Sequence, residues 1–212
     1  MSGTMMQLGA LAALAAMAGA AQGAVTVTLG ASAPTYNDRA LTFDEPGTPT
    51  GPVSANTWLG SHDVVIDAGD GQPIVDDFGP VFGSWAGTGN SFFGNFGVFM
   101  TFAINDVTGL SMQVWDPSGV PSPFGGGMGV FVFNDGVQVA DGFFTPAWGG
   151  VGDTWLNVSA MPGESFDEVR VLGFGFGPTT IADNLSWDVV PAPSALALLG
   201  VSGLLGLRRR AR

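Results

Sequence analysis

Few residues in this 212-residue chain could carry chemistry by themselves: it has no cysteine, no lysine and one histidine. Without a thiol or an amine, covalent catalysis would fall to a hydroxyl, and a hydroxyl needs a base beside it. Ser61-His62-Asp63 names such a set in three consecutive residues. A Ser-His-Asp triad needs its members to converge in space, which neighbours on one strand edge cannot do. The stretch therefore reads as a loop fragment and His62 as a solvated turn residue. Eighteen acidic residues offer many carboxylate pairs for a glycosidase, yet no spacing singles one out. Asp67-Ala-Gly-Asp-Gly-Gln-Pro-Ile-Val-Asp-Asp77 has the acidity of a cation loop but lacks the alternating oxygen ligands and closing Glu of an EF-hand. It reads as a solvated turn or a looser cation site. The side chains best suited to binding are Trp58, Trp85 and Trp148, in Gly-rich segments where an exposed indole would stack on a sugar ring. Trp115, Trp155 and Trp187 fall in strand patterns and read as core. No catalytic residue is assigned, and the chain reads as a non-enzyme.

Charge narrows the partners. Every Asp and Glu lies between Asp38 and Asp188, where Arg39 and Arg170 are the only basic residues besides His62, leaving −16 on the body. Such a surface repels nucleic acid and attracts divalent cations or cationic partners. With no disulfide available, stability has to come from a core or a bound ion. The Phe, Val and Trp content is that of a packed fold rather than a disordered acidic segment.

The elements that would position these residues are strands. Apolar and β-branched runs recur at 25–29, 40–43, 64–67, 98–104, 110–115, 129–133, 137–140, 154–158, 168–176 and 185–190, between clusters of Gly, Pro, Asn and Asp. Leu110, Met112 and Val114 alternate with Ser111 and Gln113, which predicts one wet face; 98–104 is apolar on both parities except at Thr101, which predicts a central strand. Asp135-Gly136 between β-rich arms predicts a two-residue hairpin. In 169–176 a shift of apolar parity after Val171 predicts a bulge or burial of both faces. About ten strands in one domain, 25–188, predict an all-β fold, an antiparallel two-sheet β-sandwich of jelly-roll type. A transmembrane β-barrel fits less well, because long alternating lipid-facing segments are missing.

Both ends carry addresses. Residues 1–24 hold an uninterrupted Leu, Ala, Gly and Met run followed by small residues at Ala18, Ala20, Ala21, Gly23 and Ala24, the pattern of a signal peptide cut by signal peptidase. Residues 189–212 have three parts: a hinge at Pro191 and Pro193, an uncharged stretch from Ser194 to Leu207, and Arg208, Arg209, Arg210 and Arg212. The prolines predict an extended, accessible hinge. As a helix the apolar stretch would rise roughly 21 Å, a short transmembrane span whose arginines snorkel and remain on the cytoplasmic side.

The order Val190-Pro191-Ala192-Pro193-Ser194, apolar helix, arginine cluster resembles the PEP-CTERM sorting signal. Ala192 stands where that family usually has Glu. The resemblance implies recognition by an exosortase, a membrane-embedded protease of Gram-negative bacteria that make extracellular polysaccharide. It also implies passage through the inner membrane to the cell surface or extracellular matrix. The expected function is that of an exported surface protein whose non-catalytic body meets exopolysaccharide, with a structural protein lacking any ligand as the alternative and an extracellular hydrolase further behind. In the body, Ala40-Leu-Thr-Phe-Asp-Glu45 and Ile181-Ala-Asp-Asn-Leu-Ser-Trp187 resemble the paired terminal strands of jelly-roll carbohydrate-binding modules. That resemblance implies a structural Ca²⁺ held by Asp44 or Glu45 together with Asp183, with carbonyl oxygens such as that of Asn184 completing the shell.

Overall fold

A computed structural model describes residues 24–33, 36–79, 89–103, 106–115, 127–144, 154–174 and 179–190. The expected signal segment and most of the sorting tail, from Pro191 onward, lie outside them. Among the described residues eleven strands run in chain order as β1 Val25–Gly30, β2 Arg39–Leu41, β3 Gly51–Pro52, β4 Val64–Asp76, β5 Ser91–Phe102, β6 Val107–Trp115, β7 Gly127–Asn134, β8 Val137–Phe144, β9 Trp155–Ala160, β10 Glu168–Phe174 and β11 Thr179–Val189, with one short helix, α1 Leu59–His62. Each expected run is found in a strand. Two strands extend well past their sequence signals: β4 continues through the Asp67–Asp76 stretch that reads as a loop, and β5 begins at Ser91.

All pairings are antiparallel, in the order β1-β9-β6-β11-β5-β10-β7-β8, with β2 on β11 and β3 and β4 continuing from β5. β1 comes alongside β8, so the sheet is nearly closed and barrel-like instead of lying in two separate hydrogen-bonded sheets. The reason lies in two long strands that exchange partners midway. β5 keeps β4 along one edge; along the other it pairs with β11 from Phe92 to Asn95 and with β10 from Val98 to Thr101. At the exchange, Phe96 (φ 57) and Gly97 (φ 131) form an irregular step matched by register shifts in β4 around Asp70. β11 keeps β6 along one edge, and gives the other to β5 over Thr179–Ala182 and then to β2 over Leu185–Trp187.

Local chemistry decides the hairpin. Asp135 (φ 50) and Gly136 (φ 74) both occupy the left-handed region between Asn134 and Val137, as a type I′ turn requires, and β7 and β8 pair across it. β5 is central as expected: Val98, Met100 and Phe102 point into a continuous core with Val130, Val132, Val169, Val171, Leu156 and Val158. The wet face expected of β6 is absent. Ser111 is fully buried and Gln113 nearly so, and at its end β6 carries Trp115 into a second small cluster with Ile181 and Phe78. β10 shows no bulge; its register with β7 is continuous from Glu168 to Phe174.

Candidate functional site

The two segments singled out near the ends of the body meet. Leu41, Ala40 and Arg39 of β2 pair with Leu185, Ser186 and Trp187 of β11. Asp183 sits at the place where β5 leaves β11 and β2 takes over. The register with β6 slips between Asp183 and Ser186, and Asn184 adopts φ 50 to accommodate the slip. Asp44 and Glu45 follow β2 directly, after a left-handed Phe43 (φ 64) whose ring is fully buried. Residues more than 130 positions apart are thereby joined by a strand of three residues.

Asp183 is 1% exposed. Its carboxylate accepts hydrogen bonds from the Asn184 backbone N–H at 2.7 Å and from Asn184 Nδ2 at 3.2 Å, and it is also bonded to the Ser91 side chain. Asn184 Nδ2 in turn donates to Gln113 Oε1 at 3.0 Å, which ties the group to β6. Burial pushes the Asp183 carboxyl up to about 7; the Asn184 N–H pulls the other way, and the negative charges of Asp44 and Glu45 add to the rise. Burial also raises the Glu45 carboxyl, but the bonds that Oε1 accepts from Thr42 N and Oγ1, at 2.7 and 3.1 Å, together with the nearby His62, outweigh it and hold the group below its ordinary value. Glu45 Oε2 is out of solvent and has no hydrogen-bond partner. Asp44 Oδ1 accepts from the Asn90 backbone N–H at 2.8 Å, and a Cβ at the adjacent Gly89 (φ 85) would collide with the same carboxylate.

Three hard oxygen donors thus share one field, and an orphaned carboxylate oxygen beside a buried acid is the kind of vacancy in hydrogen bonding that a cation relieves. They do not make a finished cage. Among the described residues no group of three His, Asp or Glu side chains is placed to hold a metal ion as it stands.

The other expected site residues fare differently. Trp58 is 3% exposed and lies edge-on to Phe43 and Phe92, at centroid distances of 5.2 and 5.9 Å; it is core, and the exposed stacking face expected of it is missing. The Gly-rich neighbourhood suggested exposure, but the rings of Phe43 and Phe92 pack against the indole. Trp85 and Trp148 lie outside the described residues. So do Pro191, Ala192, Pro193, Ser194 and the four terminal arginines; Val190 is described and exposed, its N–H donating to Asp106 O at 2.8 Å. Ser61 Oγ is 2.8 Å from His62 Nδ1, but Asp63 turns away to an ion pair with Arg39 at 3.3 Å, so the three neighbours do not form a relay. The Asp67–Asp77 stretch is strand as far as Asp76, with Asp67 and Asp76 each capping the N–H of the next residue. Gln113 and Ser91 were missed because each reads as an ordinary polar strand residue, and Asn184 was expected only to offer its carbonyl oxygen; at the slip its side chain joins Gln113 to the Asp183 carboxylate. Among the described residues no helix is long and apolar enough to cross a membrane.

No family model matches the chain, and no curated protein matches it.

Proposed function

We propose that this chain is an exported cell-surface or extracellular-matrix protein, sorted by an exosortase-type enzyme and carrying a non-catalytic β body that contacts extracellular polysaccharide. One observation carries the reading: the order of hinge, short apolar stretch and arginine cluster in Val190–Arg212, attached to an acidic β body. The end of the fold supports it. β11 stops at Val189, whose N–H is held by Asp38 Oδ2 at 3.0 Å, and Val190, the residue before Pro191 in the sequence, is exposed. The mature surface form is expected to end near Pro193. Mass spectrometry of the extracellular fraction checks this, and recovery of an intact tail up to Arg212 would refute it. Replacing Pro191 and Pro193 by Ala is expected to leave the protein in the inner membrane.

The finer architecture belongs to the same proposal: a flattened, two-layer jelly roll whose layers would be joined where the β4–β5 register slips beside Gly94–Gly97. A structural protein without a ligand is the second reading, favoured by the burial of Trp58, which removes one of the stacking faces.

Calcium completes the proposal. Asp44, Glu45 and Asp183 would hold it, with carbonyl oxygens supplying the remaining ligands, and the ion would supply a hard positive charge to an acidic joint that has no disulfide. With about 1 mM free Ca²⁺ and a site of about 10 μM affinity, the expected stabilisation is about 2.7 kcal/mol, several degrees in Tm. An unchanged melting point between chelator and Ca²⁺ in the wild type would remove the ion from the reading.

A further inference from the structure

A cleft of about 210 Å³ opens next to the carboxylate joint, between the Glu45–Thr48 turn and α1. Both walls are built to stay in place. Thr48 N donates to Glu45 O at 3.0 Å across Pro46 and a left-handed Gly47 (φ 92), the residue pattern of a type II turn. The opposite wall is closed by His62 N donating to Trp58 O at 2.8 Å, and Trp58 is wedged against Phe43 and Phe92.

The lining is divided in character. Pro46 and Pro49 contribute exposed apolar surface, Leu41 and Trp58 being buried; Thr48, Ser61 and His62 contribute hydrogen-bonding groups, and Glu45, its Oε1 taken by Thr42 and its Oε2 out of solvent, contributes charge. Such a division suits a ring that is hydrocarbon on its face and hydroxylated on its edge. The volume lies below the range of about 300–1,000 Å³ that takes drug-sized ligands, which leaves room for one ring and not for a chain lying along the surface. Charge selects further. His62 is the one lining residue that can carry positive charge, while Glu45 is a carboxylate and the body is strongly acidic, so an anionic sugar or a phosphate would be repelled. Two hydroxyls and an imidazole can both donate to and accept from neutral hydroxyl groups.

We infer that this cleft binds a single neutral sugar residue end-on, such as the terminus of a glycan chain, with Thr48, Ser61 and His62 as its polar contacts. The inference rests on the reading of the body as a glycan-contacting module and names where that contact is made. It also separates the roles of neighbouring residues: Asp183 belongs to the joint, whereas Ser61 and Thr48 belong to the cleft.

The chain has one histidine, so the imidazole Cε1 proton of His62 gives a single NMR resonance that reports on the cleft alone. The full chain in mild detergent is titrated with the methyl glycosides of glucose, galactose and mannose, and with glycerol and glucuronate for comparison. A saturable shift of that resonance by at least one neutral glycoside in the millimolar range is expected. S61A and T48V, checked for an unchanged Tm, are expected to weaken it about three- to tenfold, the loss of one hydrogen bond. No shift with any of the three glycosides, or an equal shift with glycerol or glucuronate, would overturn the inference. Co-sedimentation with the organism's exopolysaccharide keeps the two readings apart. Binding of the polymer with an unmoved His62 overturns the cleft and leaves the polysaccharide reading standing; a moved His62 without polymer binding supports the cleft and sinks that reading.

Discussion

Raising the pH from about 4 to about 8 in the presence of chelator lowers the stability of the folded protein by up to about 4 kcal/mol through Asp183 alone. The carboxyl ionises near 3.8 in the unfolded chain and near about 7 in the fold, where it is 1% exposed. Between those values the native state holds a proton that the unfolded state has released, so stability falls as pH rises through the window. Below it the contribution is absent, and above it the loss levels off. Asp183→Asn removes the ionisation and keeps an acceptor for the Asn184 N–H. It gives up one acceptor toward Asn184 Nδ2, a cost of about 1 kcal/mol that does not vary with pH. The difference between the two denaturation profiles is therefore expected to change sign, wild type being more stable in acid and the variant more stable at pH 8. Calcium counteracts the loss in the wild type above neutrality, where the carboxylate is free to bind it, and does nothing for the variant. Parallel pH profiles for the two proteins would show that Asp183 does not titrate in the fold as described.

Gly97→Ala is expected to destabilise the body by about 3–5 kcal/mol, a fall in Tm of about 10 °C. Two costs of different origin add. At φ 131 an L side chain is strained, at about 1–3 kcal/mol. A Cβ there would also collide with the Val171 carbonyl, which is backbone in the β10 ladder and cannot rotate away. Gly136→Ala separates the terms, since Gly136 has φ 74 and nothing within 4 Å of an added Cβ. It is expected to cost about 1 kcal/mol by conformation alone. Equal losses for the two substitutions, measured by urea denaturation, would mean that the close approach at Gly97 contributes nothing and that the step where β5 exchanges partners is not held as described.

The period-two runs, the Asp-Gly hairpin and the centrality of β5 were legible in the sequence, because they rest on alternation, turn chemistry and two-sided apolarity over a few residues. The convergence of Asp44 and Glu45 with Asp183 was legible only through the likeness of two distant segments to paired terminal strands; the β2 and β11 ladder brings those segments together. Several features were not legible. Ser111 and Gln113 alternate like a solvated face, and nothing local to β6 tells that both are buried in the assembled sheet. Trp58 sits among turn-forming residues, yet whether an indole ends in water or against Phe92 depends on a strand more than thirty residues away. Asp67–Asp76 has the composition of a loop and is held as strand by β5.

By itself the sequence determined ten of the eleven strands, β3 excepted, the acidic body and the three-part order of the tail, all of which follow from residue types within a short window. Tertiary structure decided how the strands close. β5 and β11 each have two edges and enough length to give one edge to two partners, a choice made by the Gly97 and Asn184 backbone steps together with the packing of the whole core. That same choice makes Asp183 a buried acid beside two carboxylates, since burial and proximity belong to the assembled sheet and to no segment of it.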